Sequence, residues 1–183
     1  MINSIDAKMI KPLLADLLSA KQGLTRINGI ITKLAELAFI DFLRNRDLIN
    51  DNDARRQAEC SLRVSAYANG YDVCMPESKI AAEIKALIPY ERVRFGGAQI
   101  QSLEKDVEGL LHPEKKSKAQ VNTRDYRKFL VLLSSQDEES FSEAVSHLKE
   151  RLSKKGYAVT DHLPADNEEL SLDTVYIVTI PLA

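Results

Sequence analysis

A mixed α+β fold, with helices on both faces of a central mixed sheet, is predicted by three observations. Phe129-Leu130-Val131-Leu132-Leu133 is an unbroken apolar run, the pattern of a strand buried on both faces. Helical apolar spacing brackets it, through Ile100, Leu103, Val107 and Leu110 before and Phe141, Ala144, Val145, Leu148 and Leu152 after. Upstream, short segments at 61–67, 71–75 and 80–87 read as strands. The resulting order is helix, three strands, helix, strand, helix.

Taken in order, Ser4 to Ala20 carries Ile5, Met9, Leu13, Leu14, Leu17 and Leu18 at helical spacing around Pro12, which predicts a helix or a kinked pair. Thr25 can cap a second helix to about Asn45, with a stripe of Ile27, Ile30, Ile31, Leu34, Leu37, Ala38 and Phe42. Residues 44–59 are polar and read as a loop or short helix. Leu62, Val64 and Ala66 alternate as in a strand, and Asn69-Gly70 supplies the positive φ of a tight turn. Pro76 to Lys79 is a second turn, pairing the run around Asp72 with Ile80 to Leu87 as a hairpin. A connection with Arg92, Arg94 and Gly96-Gly97 leads to a helix over 98–111 that stops near His112-Pro113. Residues 114–126 form a hydrophilic loop and 128–134 the central strand. Ser135 with Glu138 makes a capping box for the next helix, which Gly156 ends. Tyr157 to Thr160 and Val175 to Ile180 are two last strands around an acidic, irregular segment.

The 183 residues suit one domain: a helical extension (1–24), a core (25–152) and C-terminal strands (153–183). A net charge of −2 argues against coating nucleic acid by bulk positive charge, while a local basic groove is compatible with it. No run approaches the roughly 20 apolar residues of a membrane span, and Met1 to Leu18 lacks a signal pattern, so a cytoplasmic protein is expected. Cys60 and Cys74 are expected to be reduced. His112, His147 and His162 lack zinc-ligand spacing. No aromatics alternate with basic residues, which disfavours a sequence-independent single-strand binder.

The chemistry is concentrated at the hairpin. The strand period of two puts Glu83 and Lys85 on one face and Ile80, Ala82 and Ile84 on the other, and pairing of the two strands brings Asp72 beside Glu83. Adjacent carboxylates can hold a hard cation such as Mg²⁺, which polarises a phosphate and acidifies an attacking water. A lysine two residues along can hold that water or stabilise the transition-state charge. Glu77 is nearer to Glu83 in sequence but falls in the turn, so Asp72 is preferred.

Asp72, ten intervening residues and then Glu83-Ile84-Lys85 resembles the PD-(D/E)xK nuclease superfamily, which includes many type II restriction endonucleases. Tyr71 stands where that motif has proline. The predicted element order is similar to the αβββαβ core of the restriction-endonuclease-like fold. The resemblance implies a metal-dependent DNA endonuclease of restriction or another defence system, with a Holliday-junction-resolvase-like nuclease as the alternative and a non-catalytic nucleic-acid-binding protein as a third. It implies Mg²⁺, with Mn²⁺ able to substitute, held by Asp72, Glu83 and the Ile84 carbonyl, and Lys85 as catalytic lysine. It also implies an acid on the first core helix, for which Glu36, opposite the main apolar stripe, is the candidate, and Asp41, inside that stripe, and Glu59 are alternatives. Gln99 falls where family members often place a polar residue near the scissile phosphate. Arg92, Arg94, Lys115, Lys116 and Lys118 are candidates for phosphate contacts. Cutting both strands of a duplex implies a homodimer, with Ser4 to Ala20 as candidate interface, and defence implies a methyltransferase or other system partner.

Overall fold

The computed structural model describes residues 7–63, 70–87, 94–116, 121–134, 138–164 and 169–181. Helices α1 (Ala7–Asn45) and α2 (Asp51–Arg63) precede strands β1 (Val73–Met75) and β2 (Ile80–Lys85); α3 (Gly97–Leu111), a 3₁₀ turn (Pro113–Lys115), β3 (Arg127–Ser134), α4 (Glu138–Lys154), β4 (Val159–Thr160) and β5 (Val175–Pro181) follow. The strands form one mixed sheet in the order β1-β2-β3-β5-β4, antiparallel only between β1 and β2. This is the expected mixed α+β class.

Helices cover both faces. Val73, Met75, Ile80, Ala82, Ile84, Phe129, Val131 and Leu133 pack towards Phe39, Ile40 and Leu43 of α1 and Ala54 of α2. The alternate residues Cys74, Ala81, Leu130, Leu132, Val175 and Ile177 pack towards Leu103, Val107 and Leu110 of α3 and Phe141, Ala144 and Leu148 of α4. β3 is the central strand, buried from Lys128 to Ser134 as its apolar run implies. The one charge in that buried stretch, Lys128, is accommodated because the ammonium donates to the carbonyls of Arg124, Tyr126 and Leu172.

Two expectations are corrected. The helices read over 4–20 and 25–45 are one continuous helix from Ala7, because Lys21 to Leu24 contains no proline and one glycine costs only about 1 kcal/mol relative to alanine. The strand read over 61–67 is overturned at its start: residues 61–63 are the last turn of α2. Residues 64–69 lie outside the described residues. The helix wins because Asn50 caps it, its Oδ1 accepting the Asp53 N–H at 2.9 Å, and Asp51 and Asp53 favour the positive end of the helix dipole. The expected Ser135 cap also lies outside the described residues.

The buried face of α1 shares only part of the stripe read in sequence, of which Ile31, Leu37, Ala38 and Phe42 pack against the core. Ala35, Glu36, Phe39, Ile40 and Leu43 turn inward, whereas Leu24, Ile27, Ile30 and Leu34 are at least half exposed. No helix among the described residues is long and apolar enough to cross a membrane.

The β1–β2 turn and the end of α4 follow their turn chemistry. Lys79 takes a left-handed φ of 50° and donates its N–H to Pro76 O at 3.3 Å. Gly156, at φ 85°, closes α4 with its N–H on Ser153 O.

Phe129, fully buried between Phe39 (5.4 Å between ring centroids) and Tyr176 (5.9 Å), couples β3 to α1 and β5. Phe129→Ala is expected to lower unfolding free energy by about 3–5 kcal/mol in a denaturant titration.

Candidate functional site

The hairpin register pairs Val73 with Ala82, so the next step along places Asp72 opposite Glu83. There β1 has ended, and the Asp72 side chain continues the ladder: its Oδ2 accepts the Ile84 N–H at 2.7 Å. The N–H and C=O of a strand residue point to the same side, so the Ile84 carbonyl faces this edge too. Asp72 Oδ1 is buried without a hydrogen-bond partner, and Glu83 is buried beside it.

Burial dominates the electrostatics. It pushes Asp72 above the ordinary carboxylate range, against the Ile84 N–H and the charge of Lys85. Burial, and then the Asp72 charge, lift Glu83 to about 8.

Lys85 points to the same face as Glu83, as the strand period requires. Its ammonium pairs with Asp106 of α3 at 3.0 Å. Burial pulls its pKa down, but Asp106, Glu83 and Asp72 together outweigh burial and hold it above the ordinary lysine value, so it remains cationic. Burial raises Asp106, with Lys85 opposing. Sequence reasoning missed Asp106. The available signal was an acid beside the stripe of Leu103, Val107 and Leu110, one helical turn beyond Leu103.

Lys116 also enters the site. The consecutive lysines diverge after the 3₁₀ turn: Lys115 is exposed and pairs with Glu108 at 2.7 Å, whereas the Lys116 ammonium bonds to Glu83 and lies 4.0 Å from the Tyr71 ring centroid. Tyr71, which stands where proline was expected, is itself fixed by a 2.9 Å bond between its hydroxyl and Thr123 Oγ1.

Among the acids proposed for α1 and its surroundings, Glu36 is the one brought near. It is 1% exposed, bonded to Lys33 at 3.1 and 3.3 Å, and close enough to Asp72 to feel its charge. Burial raises its pKa, with Ser61 and Lys33 opposing. Asp41, expected on the apolar face, is exposed and bonded to Arg44 and Asn45. Glu59 is exposed and paired with Arg55 at 3.4 Å, and Glu77, in the turn as expected, with Arg56 at 2.9 Å.

The remaining candidates divide. Gln99 Oε1 accepts the Gly96 N–H at 2.8 Å, giving it a capping role at α3. Arg94 is exposed just before that helix. A Cβ on Gly97 would meet nothing within 4 Å, whereas one on Gly96 would stand 3.7 Å from Gln99 Oε1, so the open space is beside Gly97. Arg92 and Lys118 lie outside the described residues. Both cysteines are free, and burial pushes the Cys74 thiol up to about 11.

Among the described residues no three His, Cys, Asp or Glu side chains converge as a metal cluster. The oxygens brought side by side are the Asp72 and Glu83 carboxylates, with the Ile84 carbonyl on the strand edge that Asp72 bonds. Mg²⁺ commonly takes one or two carboxylates and keeps waters in its other positions, so this set fits it, and the orphaned Asp72 Oδ1 supplies a free lone pair. The chain matches no protein-family model, no curated protein and no solved structure.

A carboxyl whose pKa is higher folded than unfolded binds its proton more tightly when folded. Its contribution to stability is therefore lost as pH rises from the ordinary 4.5 of Glu83 through about 8. In EDTA, the melting temperature is expected to fall across this window, and less steeply in Glu83→Gln. Identical slopes in thermal melts of the two proteins would refute the assignment.

Proposed function

We propose that this protein is a metal-dependent DNA endonuclease of the PD-(D/E)xK, restriction-endonuclease-like type, acting in the cytoplasm in restriction or another defence against foreign DNA. One observation carries the reading: Asp72, Glu83 and a Lys85 kept cationic by Asp106 share one face at the edge of a mixed sheet. Hydrolysing a phosphodiester requires charge neutralisation at the phosphate and a positioned water, and these groups supply both.

In this reading Asp72, Glu83 and the Ile84 carbonyl hold Mg²⁺, or Mn²⁺ in its place. When bound, the cation supplies the positive charge that acidifies water and polarises the phosphate. Lys85 orients the attacking water and stabilises charge developing on the phosphate, and Asp106 positions Lys85. The buried Glu36 adds negative charge behind Asp72. Arg94, with Arg92 and Lys118, supplies cationic groups for the flanking phosphates.

A duplex carries two scissile bonds related by a two-fold axis, so the reading includes a homodimer. The exposed apolar stripe of α1, Leu24, Ile27, Ile30 and Leu34, favours that helix as the contact, continuing the segment proposed from sequence. Sedimentation is expected to show a dimer that Ile27→Lys with Leu34→Lys converts to a monomer; a monomeric wild type would refute this interface.

The decisive assay is cleavage of supercoiled plasmid and of a synthetic four-way junction, with Mg²⁺, Mn²⁺ or EDTA. Metal-dependent cutting should fall about 10²–10³-fold in Lys85→Ala. Plasmid cutting supports the restriction reading, and preference for the junction moves the protein to the resolvase-like class. No cutting of either, with no Mn²⁺ binding in calorimetry, would leave a non-catalytic nucleic-acid-binding protein.

A further inference from the structure

We infer that Lys116 is a tethered counter-ion occupying the divalent cation's place at Glu83, so that a cation must displace the chain's own ammonium to bind. The inference rests on the reading of Asp72 and Glu83 as cation ligands, and adds to it a control on when the cation is held.

Three separate features build a seat for this lysine. Its stem runs against the buried Gly109 of α3, where an added Cβ would stand 3.3 Å from Lys116 Cδ. Its ammonium lies over the Tyr71 ring, whose negative face attracts a cation. That ring is anchored from two sides, its hydroxyl 2.9 Å from Thr123 Oγ1 and 3.4 Å from the Gly109 carbonyl. At the end of the seat the ammonium meets the Glu83 carboxylate, with both side chains largely withdrawn from water. Lys115, one residue earlier, has no such seat and lies in solvent.

The pairing answers a local imbalance. Asp72, Glu83 and Asp106 place three carboxylates on this face, each within reach of another's charge, and Lys85 is already committed to Asp106. Lys116 supplies the second positive group, without which Glu83 is a buried carboxylate facing Asp72 alone. Asp72 and Glu83 would hold a divalent cation that supplies more charge than the ammonium, and like-charge repulsion would then favour release of Lys116. Once released, Lys116 has a substrate phosphate oxygen as its natural partner, so nucleic acid and cation favour each other's binding.

The test is Mn²⁺ titration by calorimetry of the full chain without nucleic acid, comparing wild type, Lys116→Met and Lys116→Arg. Lys116→Met is expected to bind Mn²⁺ about tenfold or more tightly than wild type, a gain of about 1.4 kcal/mol, with Lys116→Arg close to wild type. Without metal, Lys116→Met should also melt below wild type and recover when Mn²⁺ is added. If Lys116→Met does not fold, Lys116→Gln, uncharged and polar, makes the same comparison. Mn²⁺ binding that is equal or weaker in the neutral variants overturns the counter-ion while leaving the metal site standing. No Mn²⁺ binding by wild type or any variant overturns the metal site, and the counter-ion with it.

Discussion

Two buried carboxylates and a third, half-buried one on the same face of a sheet impose the constraint around which this part of the molecule is built. Asp72, Glu83 and Asp106 come from β1's leading edge, from β2 and from α3, and none can lie there charged without a partner. Lys85 answers Asp106, Lys116 answers Glu83, and the Ile84 N–H answers one oxygen of Asp72. The other Asp72 oxygen is buried with no N–H or ammonium partner among the described residues, and Asp72 lies against the Glu83 carboxyl.

That constraint propagates into the surrounding packing. The Lys116 stem needs a groove in α3, which Gly109 provides, and its ammonium needs a ring, which Tyr71 provides. Tyr71 in turn needs Thr123, in the loop leading to β3. Apolar packing does the complementary work. Leu103, Val107 and Leu110 seat α3 on the sheet, and this registers Asp106 against Lys85. The ion pairs therefore need not hold the fold together; the apolar core fixes where the charges meet, and the charges fix which residue types that corner can carry.

Helix α1 faces two environments. Its C-terminal half buries Ala35, Phe39, Ile40 and Leu43 and carries Glu36 inward to the vicinity of Asp72. Before that, Leu24, Ile27, Ile30 and Leu34 are exposed on a different side of the same helix. Both stripes have helical spacing, so periodicity alone cannot say which is the core. The stripe read in sequence mixes the two, with Ile27, Ile30 and Leu34 exposed but Ile31, Leu37, Ala38 and Phe42 packed against the core, and a reading centred on it turns Asp41 inward and Glu36 outward, the reverse of the structure.

What the sequence determined by itself was whatever depends on local periodicity and local chemistry. A strand repeats every two residues, so Glu83 and Lys85 had to share a face with Ala81, opposite Ile80, Ala82 and Ile84. The continuous run 129–133 had to lie between two layers, and Pro76 to Lys79 had to turn. Residues 61–63 escaped because Leu62, Val64 and Ala66 alternate as a strand does, while the Asn50 cap and two early aspartates commit the preceding turns to helix and carry it through Arg63. Only the tertiary structure brought Asp106 to Lys85, Lys116 across Tyr71 to Glu83, and Glu36 rather than Asp41 towards Asp72. Those meetings join residues tens of positions apart, and they are set by how α1 and α3 are rotated against the sheet, a packing choice that no single segment encodes.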